Sequence, residues 1–233
     1  MEKINKIYRL SDKGHKPTFP IGISKEICLK NFICVFGIKD LIVIADNCEQ
    51  QTIKLLQSLN IKDIRQTSLG NSGSLKFAFE IAYNELSQND IVYFVEDDFL
   101  HIPDADRYLL EGIEIADYVS LYDHLDKYMN PSQNPFVKDG GENCKVLLTR
   151  STHWKTTNST VQTFATKVRT LIEDRNILYK YNFKSNTPQS FATFLELTKM
   201  GRRLITPIQG ISTACDSFPS PIVDWEFFMK DFS

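Results

Sequence analysis

Between residues 3 and 98 the chain alternates apolar runs with amphipathic segments, and this rhythm restricts its fold more than any other feature. "KINKIYRLSD" has the apolar content of a strand ending in a polar turn at Ser11 to Gly14. "GISKEICLKNFICVFG" places Ile23, Ile27, Phe32 and Phe36 at mostly helical spacing, with Gly37 as a stop. The strand "DLIVIADNC" follows and ends on Asp46, then the helix "CEQQTIKLLQSLN", the short strand "KDIRQTSL" and a Gly and Ser turn feeding the helix "GNSGSLKFAFEIAYNEL". A fourth strand is "IVYFVEDDFLH". Strands and helices that alternate at this pace predict an α/β fold, with a mostly parallel central sheet flanked by helices and right-handed crossovers. Ligands of such sheets sit beyond the carboxyl ends of the strands. The polar clusters at Asp12, Asp46 and Glu96 to Asp98 fall on that edge, and the Asn71 to Ser74 turn joins them.

After Tyr128 the pattern changes. "MNPSQNPFVKDGGEN" reads as an irregular loop long enough to act as a lid. "CKVLLTRSTHWKTTNS" reads as strand and "TVQTFATKVRTLIEDRNIL" as an amphipathic helix. "TPQSFATFLELTKMG" reads as a helix capped by Thr187, with Pro188 at its first position and Gly201 at its end. "RRLITPIQGIS" is the last expected strand, and the aromatic tail "PIVDWEFFMKDFS" is expected to pack back on the body.

A chain of 233 residues can bury one substantial core, and a single domain spanning 1–233 is preferred over two small ones. With 27 basic against 29 acidic residues, nothing in the charge balance points to nucleic acid as the main partner. The five cysteines include no CxxC pair, which suits a reducing cytoplasm rather than a disulfide framework or a zinc knuckle. The N-terminus lacks a secretory signal and no window has the length to cross a bilayer, so a cytoplasmic protein is expected, with peripheral membrane association left open.

The carboxylates Glu96, Asp97 and Asp98 stand directly after an apolar strand, where their mutual repulsion calls for a cation or good donors. Manganese and magnesium prefer carboxylate oxygens, and at phosphate-handling sites they need only one or two from the protein. Neighbouring side chains of an extended chain point apart, so Asp98 is the first choice as metal ligand and Asp97 the second. Glu96 is assigned to orient a sugar hydroxyl or a metal-bound water. A solvated, helix-capping turn is the plainer alternative.

"VYFVEDDFLH" resembles the DXD motif of GT-A type nucleotide-sugar glycosyltransferases. "YRLSDKG", "EICLKNFICVF", "ADYVSLYDHLDKY" and "THWKTTNST" are similar, in kind and order, to runs of a small single-domain subgroup that builds surface glycans. The resemblance implies a GT-A, Rossmann-like domain in which residues 1–128 bind the nucleotide sugar and residues 129–233 bind the acceptor. It places Arg9 and Asp12 at the base and ribose, Asp46 at the base, and Asn71, Ser72 and Ser74 near the donor. Asp97 and Asp98 would hold manganese or magnesium at the diphosphate. His153, Trp154 and Lys155 form a group suited to stacking on a sugar and reaching a phosphate. Each also has a plain structural reading: a turn pair for Arg9 and Asp12, helix caps for Asp46, Ser72 and Ser74, and core packing for Trp154.

Two positions depart from that family's pattern. Gln189 and Ser190 stand where a catalytic carboxylate is expected at a late helix start, and neither can act as a base. After the last core strand, "GISTACDSF" offers Asp216 in place of a metal-binding histidine, so Asp216 is carried as base or ligand. The expected activity is metal-dependent transfer of a sugar from a UDP- or dTDP-linked donor to a glycan or other hydroxyl. The alternatives are a nucleotidyltransferase of similar fold, ranked lower because no glycine-rich phosphate loop is evident after the first strand, and a non-catalytic sugar-nucleotide or glycan-binding domain.

Overall fold

The computed structural model describes residues 3–183 and 188–229. The four N-terminal strands form where the apolar runs stand: β1 (Ile4–Leu10), β2 (Leu41–Asp46), β3 (Asp63–Thr67) and β4 (Ile91–Glu96). Between them lie α1 (Lys25–Phe36), α2 (Gln50–Ser58) and α3 (Gly70–Glu85). Ser24 caps α1 by accepting from the Ile27 N–H, and Gly37 ends it at φ 68°, a left-handed conformation that costs glycine little. All four strands pair in parallel, in the order β3-β2-β1-β4.

The second half completes the sheet through β5 (Phe99–His101), α4 (Ala105–Ile115), β6 (Tyr118–Val119), a 3-10 turn (Leu125–Tyr128), β7 (Val137–Lys138) and β8 (Gly141–Glu142). There follow β9 (Val146–Leu148), β10 (His153–Thr156), β11 (Phe164–Lys167), α5 (Val168–Glu173), α6 (Arg175–Asn182) and α7 (Ser190–Lys199). The described chain ends with β12 (Leu204–Pro207), β13 (Ser212–Ala214) and α8 (Trp225–Met229). The main sheet has nine strands in the order β3-β2-β1-β4-β11-β6-β12-β10-β9, and only β10 and β11 run against the others. The expected α/β architecture, a mostly parallel Rossmann-like sheet flanked by helices in a single domain, is what the chain forms.

Successive residues of a strand face opposite sides, so a strand covered on both faces must be apolar throughout. Tyr8, Val43, Tyr93 and Val95 pack with Leu29 and Phe32 of α1, Ile53 and Leu56 of α2, and Leu109 of α4. Ile7, Ile44, Val92 and Phe94 pack on the other side against Leu75 and Phe79 of α3, with Leu171, Leu178 and Phe194 beyond. This leaves the carboxyl ends of β1, β2 and β4 at a rim between the two helical layers.

Three expectations are corrected. The segment "TVQTFATKVRTLIEDRNIL" is not one helix: it begins with β11, which lies between β4 and β6, and only then turns into α5 and α6. Phe164 enters one core layer and Ala165 the other, a two-sided burial that a surface helix cannot provide. The stretch from Val146 to Thr156 is a hairpin of β9 and β10 rather than one strand. Helix α4 is an element that the sequence pattern does not single out; it covers the sheet face opposite α3 and brings Gly112 against Trp154 and Val119, where an added Cβ would stand 3.0 Å from both.

The expected irregular loop contains the short β7–β8 hairpin, pinned because Glu142 accepts from Lys127, Thr157 and Asn158. Thr187 lies outside the described residues, and α7 starts at Ser190. The tail packs back as expected over its described residues, with Trp225 buried and its indole N–H donating to the Ser220 carbonyl.

Phe164→Ala should cost about 3–5 kcal/mol in urea denaturation, because it empties a site shared with Phe94 and Phe79. Leu148→Ala, on the exposed edge strand β9, should stay within about 0.5 kcal/mol of the parent.

Candidate functional site

A cleft of about 360 Å³ opens at the carboxyl ends of β1, β2 and β4. Its floor is Arg9, Leu10 and Asp46, one wall is the start of α3, and the other is the loop Ser11 to His15. Glu96, Asp97 and Asp98 line it together.

Each acid of the triplet is handled differently. Arg9 lies opposite Glu96 in the β1–β4 register, and its Nη1 donates to Glu96 Oε1 at 2.9 Å. The same buried guanidinium donates through Nη2 to the Asn71 carbonyl at 2.8 Å, to Asn71 Oδ1 at 2.6 Å and to Ser74 Oγ at 3.1 Å. One cation therefore ties β1, β4 and the first turn of α3 together. Asp97 Oδ2 accepts from the Ser11 N–H and from Lys25 Nζ, both at 2.8 Å. Lys25 also donates to the Ser11 carbonyl at 2.6 Å, which fastens the loop after β1 to the start of α1. Burial raises the Asp97 carboxyl above its ordinary value, and Lys25 and Ser11 oppose that rise.

Asp98 has no such partner. Its Oδ1 is sealed from solvent and accepts no hydrogen bond. Burial first, then the charges of Glu96, Asp97 and Asp216, push its carboxyl up to about 8. Asp216, in the segment after β13, is partly exposed and accepts from the Phe218 N–H at 2.7 Å.

The other expected residues divide by place. Asp46 is buried and saturated: Oδ1 accepts from Thr67 Oγ1 and the Leu69 N–H, and Oδ2 from the Gly70 N–H and Asn47 Nδ2. Burial would raise its carboxyl, yet these four donors outweigh burial and hold it below the ordinary carboxylate value. Asp46 thus shapes the turn that starts α3, and its oxygens are committed there. Asp12 is likewise engaged, accepting from the Glu49 N–H at 2.6 Å and from Thr52 Oγ1 at 3.0 Å at the start of α2. Ser72 stands in the first turn of α3, and Ser74 Oγ donates to the Asn71 carbonyl besides accepting from Arg9.

His153, Trp154 and Lys155 are not brought into this cleft. They stand on β10, on the far side of the sheet from β1. His153 is exposed, whereas Trp154 is fully buried and donates to Thr149 Oγ1. Lys155 is buried in an ion pair with Asp123 at 3.0 Å and lies 4.3 Å from the centre of the Tyr128 ring. Of the group expected to meet a sugar, Trp154 is engaged in packing and Lys155 in an ion pair, while His153 is exposed away from the cleft.

Lys13, Gly14 and His15, missed in the sequence, line the cleft mouth, as does Asn47 with its left-handed φ of 53°. The signal was present in "SDKGHKP", where basic residues follow a strand without the usual glycine spacing. Among the described residues no group of three or more His, Cys, Asp and Glu converges to hold a metal unaided. A hard cation sharing its shell with a phosphate asks for less, and the unpartnered oxygen of Asp98 with the charges of Glu96 and Asp216 nearby fits one. Asp97, already paired with Lys25, is less suited than expected.

No protein-family model matches the chain, and no curated protein matches it. Solved structures do. The 4-diphosphocytidyl-2C-methyl-D-erythritol synthase from Anaerococcus prevotii is similar with a TM-score of 0.51 at 12% identity, covering 88% of this chain and 87% of its own. A CMP:2-keto-3-deoxy-manno-octonic acid synthetase complexed with CTP is similar with a TM-score of 0.51 at 14% identity, covering 88% of both chains. At such identities the likeness establishes the fold, a Rossmann-like architecture found in nucleotidyltransferases. The expectation of a glycosyltransferase with a nucleotide-sugar donor and a glycan acceptor is corrected: these two matches are a synthase and a synthetase complexed with CTP, and neither is a glycosyltransferase. No helix among the described residues is long and apolar enough to cross a membrane.

A carboxyl group raised to about 8 binds a proton that the unfolded chain has lost above about pH 4. In cation-free buffer Asp98 should therefore make stability fall as pH rises from about 4 to about 8. Asp98→Asn removes that slope, so its unfolding free energy in urea should rise above the parent's by a margin that grows from pH 5 to pH 8.5 and reaches at least about 1 kcal/mol. A margin independent of pH would mean that Asp98 is ionised throughout.

Proposed function

We propose that the chain is a nucleotidyltransferase that takes a pyrimidine nucleoside triphosphate and joins its nucleotidyl group to an oxygen nucleophile. The observation that carries this reading is the cleft itself, where an unpaired, raised carboxyl at Asp98 faces a basic loop across the carboxyl edge of a Rossmann-like sheet. The likeness in fold to a synthetase complexed with CTP supports a pyrimidine triphosphate as the first ligand to test.

In the reaction an acceptor oxygen attacks the α-phosphorus, the bond to the bridging oxygen of the β-phosphate breaks, and pyrophosphate departs with the electron pair. Lys13 and His15 stand at the mouth of the cleft, where they offset charge on the polyphosphate. Lys25 holds the loop after β1 through Ser11, so that its backbone lines the cleft in a fixed conformation. Gly14 lies against Lys25, where an added Cβ would come within 3.1 Å of Nζ. The loop thus does by tethering what a glycine-rich loop does by flexible close approach. Arg9 and Asp46 position the turn Gly70–Asn71 that forms the opposite wall.

Asp98 would hold manganese or magnesium together with oxygens of the triphosphate, with the charges of Glu96 and Asp216 nearby, and the cation would supply neutralisation of the charge on the departing pyrophosphate. Residues 1–128 form the nucleotide side in this reading and residues 129–233 the acceptor side.

The test is binding and turnover with CTP, UTP and ATP, in manganese, magnesium or chelator. CTP should bind in a cation-dependent manner and, with acceptor, release pyrophosphate. Asp98→Asn should lower turnover by at least about a hundredfold, the scale for losing a positioned electrostatic group. Lys13→Ala should weaken triphosphate binding roughly tenfold, about one charge-assisted contact. Failure of every triphosphate to bind overturns the reading, and binding without pyrophosphate release with any acceptor reduces the chain to a binding module.

A further inference from the structure

Two thiols lie sealed beneath the cleft. Cys28, on α1, and Cys215, in the segment after β13, are both fully buried, and their sulfurs are 3.9 Å apart. Each belongs to a segment that also carries a cleft contact. Lys25, three residues before Cys28, holds Asp97 and Ser11. The Cys215 N–H donates to the Asp98 carbonyl at 2.7 Å, and Asp216 is the next residue. The Cys215 carbonyl accepts from Thr18 and Phe19, so the loop leading from β1 to α1 is tied to the same point. Tyr8 closes the group from β1; its hydroxyl is buried and makes no hydrogen bond.

We propose that Cys28 and Cys215 form a reversible disulfide that turns the cleft down under oxidising conditions. This rests on the nucleotide reading only for what the cleft binds. A disulfide holds its sulfurs about 2.05 Å apart, so bond formation draws them together by about 1.9 Å from the 3.9 Å of the thiol pair. What side-chain rotation does not take up of that movement falls on α1, which carries Lys25, and on the segment that carries Asp216 and the donor to Asp98. In the step hydrogen peroxide takes both electrons. One sulfur attacks the peroxide oxygen to give a sulfenic acid and water, and the second sulfur displaces hydroxide from it, which leaves as a second water with the thiol proton. A dithiol returns the pair to the reduced state by exchange.

Burial makes the pair selective. Hydrogen peroxide is small enough to enter with a local opening, whereas glutathione disulfide has to bring a bulky sulfur to a site with no exposed surface. Cys34 and Cys144 are exposed and accessible to both reagents.

The full-length protein is treated with hydrogen peroxide, and three quantities are followed: non-reducing peptide mapping, hydrogen exchange at 96–101 and 212–217, and CTP affinity with manganese. The expected outcome is a Cys28–Cys215 linkage with loss of two hydrogens, altered exchange in both segments, and CTP binding weakened by about tenfold or more, a typical size for coupling between sites. Dithiothreitol restores all three. Cys28→Ser and Cys215→Ala should each bind CTP like the reduced parent and ignore peroxide, and agreement of the two variants guards against misfolding of one. Linkage of other cysteines, no linkage, or a Cys28–Cys215 bond with exchange and affinity unchanged overturns the proposal. If the reduced protein binds no triphosphate, the nucleotide reading fails while mapping and exchange still judge the switch.

Discussion

The fold of this protein sets a repulsion that the rest of the cleft is built around: consecutive carboxylates at the end of a buried strand. Water cannot reach them freely, so each needs a partner or must hold its proton. Glu96 is met by Arg9 and Asp97 by Lys25, while Asp98 is left with a sealed, unpaired oxygen. The two pairings do more than neutralise charge. Arg9 locks the start of α3 onto β1 and β4, and Lys25 locks the loop after β1 onto α1, so the walls of the cleft are set by the cations that its acids demand.

Asp98 is consequently the member of the triplet with a buried oxygen that no donor meets. The contrast with Asp46 is instructive. Both are acids at strand ends on the same rim, yet Asp46 collects four donors and sits below its ordinary value, while Asp98, with one oxygen sealed and unpaired, rises. A saturated carboxylate builds the wall, and an unsatisfied one offers an oxygen to a cation or a proton. Geometry, rather than residue type, separates the two roles.

This also explains why the motif pointed toward the wrong chemistry. Enzymes that move a sugar from a nucleoside diphosphate and enzymes that move a nucleotidyl group from a triphosphate both must neutralise a departing phosphate chain at the carboxyl edge of a parallel sheet. A "VEDD" at the end of β4 serves either. The order of short runs that resembled one family does not reveal which phosphorus or carbon is attacked, since that depends on what the remainder of the cleft presents.

The sheet and its rim follow from the pattern along the chain. Apolar runs at Tyr8, Val43 and Val95 can be buried only if helices cover both faces, and so Arg9, Asp46 and Asp98 had to meet at one edge. Which of them keeps an unpaired oxygen depends on contacts made across the fold. Phe164 and Ala165 carry a helical-looking pattern, and they become a strand because β4 and β6 offer both unsatisfied backbone partners and two core layers. Trp154 and Lys155 look like a recognition group in sequence, and packing removes them from the cleft because Gly112 and Asp123 come to meet them from distant positions. Local pattern records what a residue prefers, whereas its partners, and hence whether an acid is committed or free, are supplied by segments that the chain brings together only on folding.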